Sequence, residues 1–202
     1  AAVILGCLTP GVRADAIDDY LRAEMAVRKI PGLAIAVVRG DRIEKLASFG
    51  YADIENGALV SDSSVFAIAS LDKELTAAGV LKAEERGKLK LDDPVTKYLR
   101  LPLGGITIRQ LLNHTSGLPD SLAEVERGRS LTSYSTDQLL ELLREVTPVQ
   151  PPGSGFIYSD NGSFLAQCVT ERAAGEPWWT FMRREVFEPA GMHSVVSMNP
   201  HT

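Results

Sequence analysis

The sequence is poor in the residues that hold metals. It has two cysteines, Cys7 and Cys168, far apart and forming no Cys-x-x-Cys pair, and only three histidines in 202 residues. No cluster with metal-ligand spacing can be drawn from them, which argues against a metalloenzyme, and no pattern in the chain calls for a cofactor. Basic residues are not in excess: 21 Lys and Arg stand against 26 Asp and Glu, a net charge of −5, and no Lys/Arg block interleaves with aromatics. Nucleic acid is therefore not an expected partner. The chain also has no internal repeat, no low-complexity tract and no Gly-x-Ser-x-Gly turn. What is present, 45% hydrophobic and 23% charged residues, fits a globular domain with a sizeable core and excludes disordered and collagen-like classes.

Against that background the stretch from Phe66 to Ala78 stands out, because Ser70 and Lys73 open a long amphipathic segment. Positions i and i+3 of a helix share one face, so the Lys73 ammonium can fold back toward the Ser70 hydroxyl. Serine needs a neighbouring base to act as a nucleophile, and lysine becomes a base when burial or nearby positive charge lowers its pKa toward neutrality. A helix start adds free N–H groups and a positive dipole end, which favour the charge developing on an attacked carbonyl oxygen. The plainer reading makes Ser70 an N-cap and Lys73 a solvated first-turn residue.

The chain opens on Ala1-Ala2-Val3-Ile4-Leu5-Gly6-Cys7-Leu8, an apolar run too short to span a bilayer. Residues 1–14 read as the remnant of a signal peptide, with cleavage after Ala14, which places the protein in the periplasm or outside the cell. Ile4-Leu5-Gly6-Cys7 also resembles a lipoprotein cleavage box, in which Cys7 carries a lipid anchor. A buried N-terminal element of a cytoplasmic protein is the remaining reading.

Apolar spacing predicts a helix over 14–28 with Asp15, Asp18 and Asp19 in its first turns. Pro31-Gly32 breaks it, and residues 33–38 and 43–51 around the polar turn Arg39-Gly40-Asp41-Arg42 predict a β-hairpin. The helix beginning near Ser70 should run to Arg86, with Leu71, Leu75, Ala78 and Leu81 on one stripe and Gly87 just past its end. Thr107 caps a short helix over 106–112. His114 and Ser116 are neighbours in the following loop, but a Ser-His role is disfavoured, since loop histidines commonly bond backbone. Helices are also expected over 136–146, 163–174 and from Trp178-Trp179 to about Phe187, with a rigid connector between Pro148 and Gly153. Tyr158, at a helix-entry turn, has a phenol of reference pKa about 10 and beside an ammonium can carry a proton between nucleophile and leaving group. Taken alone it is more simply a half-buried aromatic.

Five segments, in order, change the weight of these readings: Phe66-x-Ile68-x-Ser70-x-x-Lys73-x-x-Thr76-Ala77, Gly87 to Leu99, Ile106 to Leu118 with Asn113-His114-Thr115-Ser116-Gly117-Leu118, Tyr158-Ser159-Asp160, and Phe187-Glu188-Pro189-x-Gly191-Met192. From about residue 15 onward the chain resembles the serine β-lactamase-related family, which holds class C β-lactamases, DD-peptidases and esterases. The resemblance implies an α/β (α+β) fold of the β-lactamase/transpeptidase type, a helical region beside an antiparallel sheet. It implies Ser70 as acyl-accepting nucleophile, Lys73 as its partner base, Tyr158 as proton-transfer residue and position 160 as substrate-binding.

Two departures bear on that reading. The family's Tyr-x-Asn element ends here in Asp160, and an ionised aspartate accepts hydrogen bonds but offers no amide N–H to a substrate carbonyl. Asp160 can also bond the Lys73 ammonium and hold it charged. The family's Lys-Thr-Gly or His-x-Gly strand is absent after Tyr158, where the last lysine of the whole chain is already Lys97. Residues 15–202 thus read as the N-terminal part of a single domain with an incomplete sheet, of which the 33–51 hairpin is the part present. The expectation is a serine hydrolase acting on β-lactam, peptidoglycan-peptide or ester substrates. The alternatives are a slowly acylating or non-catalytic penicillin-recognition protein, or an inert truncated product. The oligomeric state is left open.

Overall fold

A computed structural model describes residues 16–123 and 131–197. The signal-peptide and Cys7 readings fall outside these residues. The chain forms two compact units that divide between Phe66 and Ala67.

In the first unit, helix α1 (Ala16–Arg28) is followed by strands β1 (Gly32–Arg39) and β2 (Arg42–Asp53). The strands pair antiparallel, with Gly32 opposite Gly50 and Arg39 opposite Arg42, so the expected hairpin is present with its turn at Gly40-Asp41. The sheet does not stop there. Asp53 accepts hydrogen bonds from the Asn56 backbone and side chain, folding the chain back. A third strand, β3 (Ala58–Leu59), then pairs antiparallel with the end of β2. The expectation of a hairpin alone is corrected by this turn, whose Asp-x-x-Asn-Gly chemistry favours a reversal. Asp18, expected as a dipole-facing residue at the helix start, is buried, with its carboxylate 2.6 Å from Lys45 of β2.

In the second unit, a short 3₁₀ turn, Ala69–Leu71, leads into helix α2 (Asp72–Glu85). The buried face of α2 is Thr76, Gly79, Val80 and Ala83, whereas Leu71 and Leu81 are exposed. Leu75 and Ala78 are half-buried, so the expected leucine stripe only flanks the core face of α2. Helix α3 (Ile108–Leu112) is capped by Thr107 as expected, in a reciprocal box with Gln110. Helix α4 (Thr136–Leu142) is capped by Ser135 and ends in a 3₁₀ turn over Leu143–Glu145.

Helix α5 (Asp160–Ala174) begins three residues earlier than apolar spacing indicated, and ends at Gly175 in the left-handed conformation. Helix α6 (Trp178–Met182) continues into a π-helical turn, Arg183–Phe187. Val80, Leu103, Ile106, Ile108, Leu165 and Phe181 are among the residues of the core that α2, α3, α5 and α6 enclose. The fold is mixed α/β, helices together with an antiparallel sheet.

Candidate active site

Ser70 lies on the 3₁₀ turn, immediately after Ala69, whose φ of 44° puts a non-glycine residue in the left-handed region. Such a conformation costs about 1–3 kcal/mol, and it persists where the surrounding structure fixes it, commonly at functional sites. It turns the chain sharply into α2, leaving Ser70 exposed and Lys73, one turn on, partly covered. The Lys73 ammonium donates to Ser70 Oγ at 3.2 Å. Across the site, at the entrance to α5, the Tyr158 phenol donates to the same Oγ at 2.7 Å. The residues are 88 positions apart in sequence. Tyr158, read from the sequence apart from the Ser70–Lys73 pair, is thus brought onto the same oxygen as Lys73.

Asp160 joins them from the other side. Its carboxylate is 2.5 Å from the Lys73 ammonium, with the two side chains 29% and 18% exposed. Burial alone pulls the lysine pKa down, but the hydrogen bonds and charges of Asp160 and Tyr158 outweigh it, and Lys73 sits above its ordinary value. This is the opposite direction from the lowered pKa that a lysine base requires, and it follows from pairing rather than from burial. The Asp160 side chain is engaged by Lys73, and its backbone N–H donates to Asp120 Oδ1 at 2.7 Å.

The entrance to α5 is held by a network that sequence reading did not assemble. Asn161 is fully buried and both ends of its amide are bonded: Oδ1 accepts from the Leu122 N–H, while Nδ2 donates to the Pro119 carbonyl and to Ser121 Oγ. Ser159, also buried, donates its hydroxyl to the Pro119 carbonyl at 2.8 Å. Behind Lys73, Gln167 of α5 donates to Asp72 Oδ2 and Thr76 Oγ1 of α2, tying the helices that carry the two halves of the site. Thr76 was visible in the sequence as part of the Ser-x-x-Lys-x-x-Thr run; Gln167 carried no local signal. His114 faces Tyr158, with ring centroids 4.7 Å apart. Ser116, in contrast, is buried and accepts from the Leu118 N–H, so it takes no part in the site. Among the described residues no group of His, Cys, Asp and Glu is arranged to hold a metal ion.

The sequence profile of the family described as beta-lactamase matches residues 17–197, nearly the whole chain. The chain belongs to this beta-lactamase family. Among curated members, penicillin-binding protein 4* of Bacillus subtilis is 34% identical over 166 residues, covering 80% of this chain and 37% of that protein. Esterase EstB of Burkholderia gladioli is 33% identical, covering 95% of this chain and 52% of EstB. The octameric penicillin-binding protein homologue from Pyrococcus abyssi superposes with a TM-score of 0.79 at 27% identity, covering 88% of this chain and 43% of that one. The chain therefore spans about half or less of the length of these family members. Its fold is that of the family, and the segments containing Ser70, Lys73 and Tyr158 lie inside the matched region.

Proposed function

We propose that this chain carries the acylating centre of a serine hydrolase, with Ser70 as nucleophile. The observation that carries the reading is the convergence of the Tyr158 phenol and the Lys73 ammonium on Ser70 Oγ at 2.7 and 3.2 Å. Because Lys73 is held charged, its part is electrostatic: the ammonium favours negative charge on Oγ and on the phenol oxygen, its nitrogen standing 4.9 Å from the Tyr158 ring centre. The proton then moves through Tyr158. With the phenol ionised by loss of its proton to solvent, the phenolate accepts the Ser70 proton as Oγ bonds to the substrate carbonyl carbon. It returns that proton to the departing amine or alkoxide as the carbon–nitrogen or carbon–oxygen bond breaks. Water, activated by the same group, attacks the resulting ester and frees Ser70.

Asp160 argues for the substrate. With a carboxylate where an amide N–H is wanted, a substrate offering a carbonyl at that point is met by an acceptor rather than a donor. Short esters, which lack the amide side, fit this site better than β-lactams or peptides, in keeping with an esterase among the relatives. A second reading, a penicillin-recognition protein that acylates and then stalls, draws on the same Lys73–Asp160 pair, because the carboxylate offsets the ammonium that assists both steps.

The test is intact-mass measurement with a serine-reactive phosphonate and with penicillin. One adduct per chain, absent in Ser70→Ala, is expected; an adduct that survives that substitution removes Ser70 as nucleophile. Release of the penicillin adduct with time marks the hydrolase, and an adduct that persists for hours marks the recognition protein.

A further inference from the structure

His114 is joined to the chain on both sides of Tyr158. Its carbonyl accepts from the Ile157 N–H at 2.8 Å, and its ring Nδ1 accepts from the Ser159 N–H at 3.3 Å. Its ring lies against the Tyr158 ring at 4.7 Å with the planes 31° apart, and Phe156 meets the ring edge-on at 5.6 Å. One residue thus fixes positions 156 to 159. The backbone of His114 is itself in the left-handed region, φ 59°, which is uncommon for a residue with a side chain. That turn is what points both the carbonyl and the ring at the same strand of chain.

From this geometry we infer that His114 is the positioning residue for Tyr158: in its neutral form it holds the phenol on Ser70, and its protonation releases it. The inference rests on the proposed role of Ser70 and Tyr158. The reason is the direction of one hydrogen bond. Nδ1 can accept from Ser159 only while it carries no proton, which fixes the neutral ring as the Nε2–H tautomer. A second proton turns the acceptor into a donor facing another donor. The bond is lost and a cation appears beside Lys73.

The charged and titratable groups around the ring are Lys73 from α2, Tyr158 itself, Asp160 at the start of α5, and Asp120 from the loop after α3. Burial lowers the His114 pKa below the ordinary 6.5 and the Lys73 charge lowers it further, against the opposing pull of Asp160 and Asp120. The neutral, holding form is therefore the one present at pH 7, and release belongs to acid conditions.

Two substitutions separate the ring from the turn. His114→Gly keeps the left-handed backbone and removes the Nδ1 acceptor and the ring. His114→Asn also tolerates that backbone and offers Oδ1 close to where Nδ1 stood, without titrating. Labelling of Ser70 by the phosphonate, followed by intact mass in the full chain, should slow at least about tenfold in His114→Gly at saturating probe. The half-saturating probe concentration should stay within about twofold, because the lost term is orientation rather than probe binding. His114→Asn should recover to within about threefold of the unaltered chain. It should also lose the fall in labelling that the unaltered chain shows below pH 6.5. In the unaltered chain, NMR should show the Nε2–H tautomer and a Ser159 amide proton that shifts with the His114 titration.

Labelling of His114→Gly at the unaltered rate, failure of Asn to restore it at matched melting temperature, or a Ser159 amide indifferent to the titration overturns the inference. The NMR result requires no variant and so decides even if a variant does not fold. An unlabelled Ser70 in the unaltered chain overturns the hydrolase reading and this inference with it, whereas a labelled Ser70 indifferent to His114 overturns the inference alone.

Discussion

At the scale of single residues, Lys73 shows how one neighbour sets what a side chain can do. Partial burial would by itself make it a better base, but Asp160 at 2.5 Å raises its pKa and keeps it an ammonium. Asp160→Asn removes the carboxylate and leaves only Tyr158 to oppose burial, so the lysine pKa falls. If the ammonium is the working form, the alkaline limb of Ser70 acylation should move to lower pH in this variant. If neutral lysine were the base, the same change would instead raise acylation near pH 7, and that outcome would sink the electrostatic role. The variant also restores an amide N–H, so kcat/KM for β-lactam or peptide substrates should rise several-fold or more, corresponding to about 1–3 kcal/mol for one buried hydrogen bond. Short esters should respond little, and an equal response from both classes would show that position 160 does not read the amide side.

At the scale of elements, the site depends on how closely α2 approaches the helices behind it. Gly79 lies on the buried face of α2, and a Cβ there would overlap Met182 Sδ and the Trp178 ring of α6. The sulfur can shift, but the indole is rigid. Gly79→Ala gains up to about 1 kcal/mol of helix propensity, while overpacking a filled interface costs about 1–3 kcal/mol. With the full propensity gain the expected net effect is a loss of up to about 2 kcal/mol, read as a lower denaturant midpoint at unchanged slope. A variant more stable than the original would mean that α6 yields without cost. The same close approach explains why the leucine stripe expected on α2 is not its core face: the face that carries glycine, alanine and threonine packs nearest, and the larger leucines stand outside it.

At the scale of the whole molecule, the chain divides into two compact units, and Ser70, Lys73, Tyr158 and Asp160 all lie in the second, which begins at Ala67. The groups that converge on Ser70 Oγ are thus held by contacts within one unit, among them the Gln167 bonds that tie α5 to α2.

Local chemistry made much of this protein legible in its sequence. The 33–51 hairpin followed from two apolar runs around a Gly-Asp turn, the α3 cap from Thr107, and the helix end at Gly175 from glycine's access to positive φ. Ser70 and Lys73 share a helical turn, so their proximity is a matter of spacing alone. Other features depend on contacts between distant segments, which spacing does not encode. Tyr158 reaches Ser70 across 88 residues because Asn161, Ser159 and Gln167 fasten α5 to its surroundings. The charge state of Lys73 was decided by which carboxylate packed beside it, and the sequence offered only the possibility. His114 took its place for the same reason: the tertiary fold sets one loop's carbonyl and imidazole against another loop's amides, and only there does a loop histidine acquire a phenol to hold.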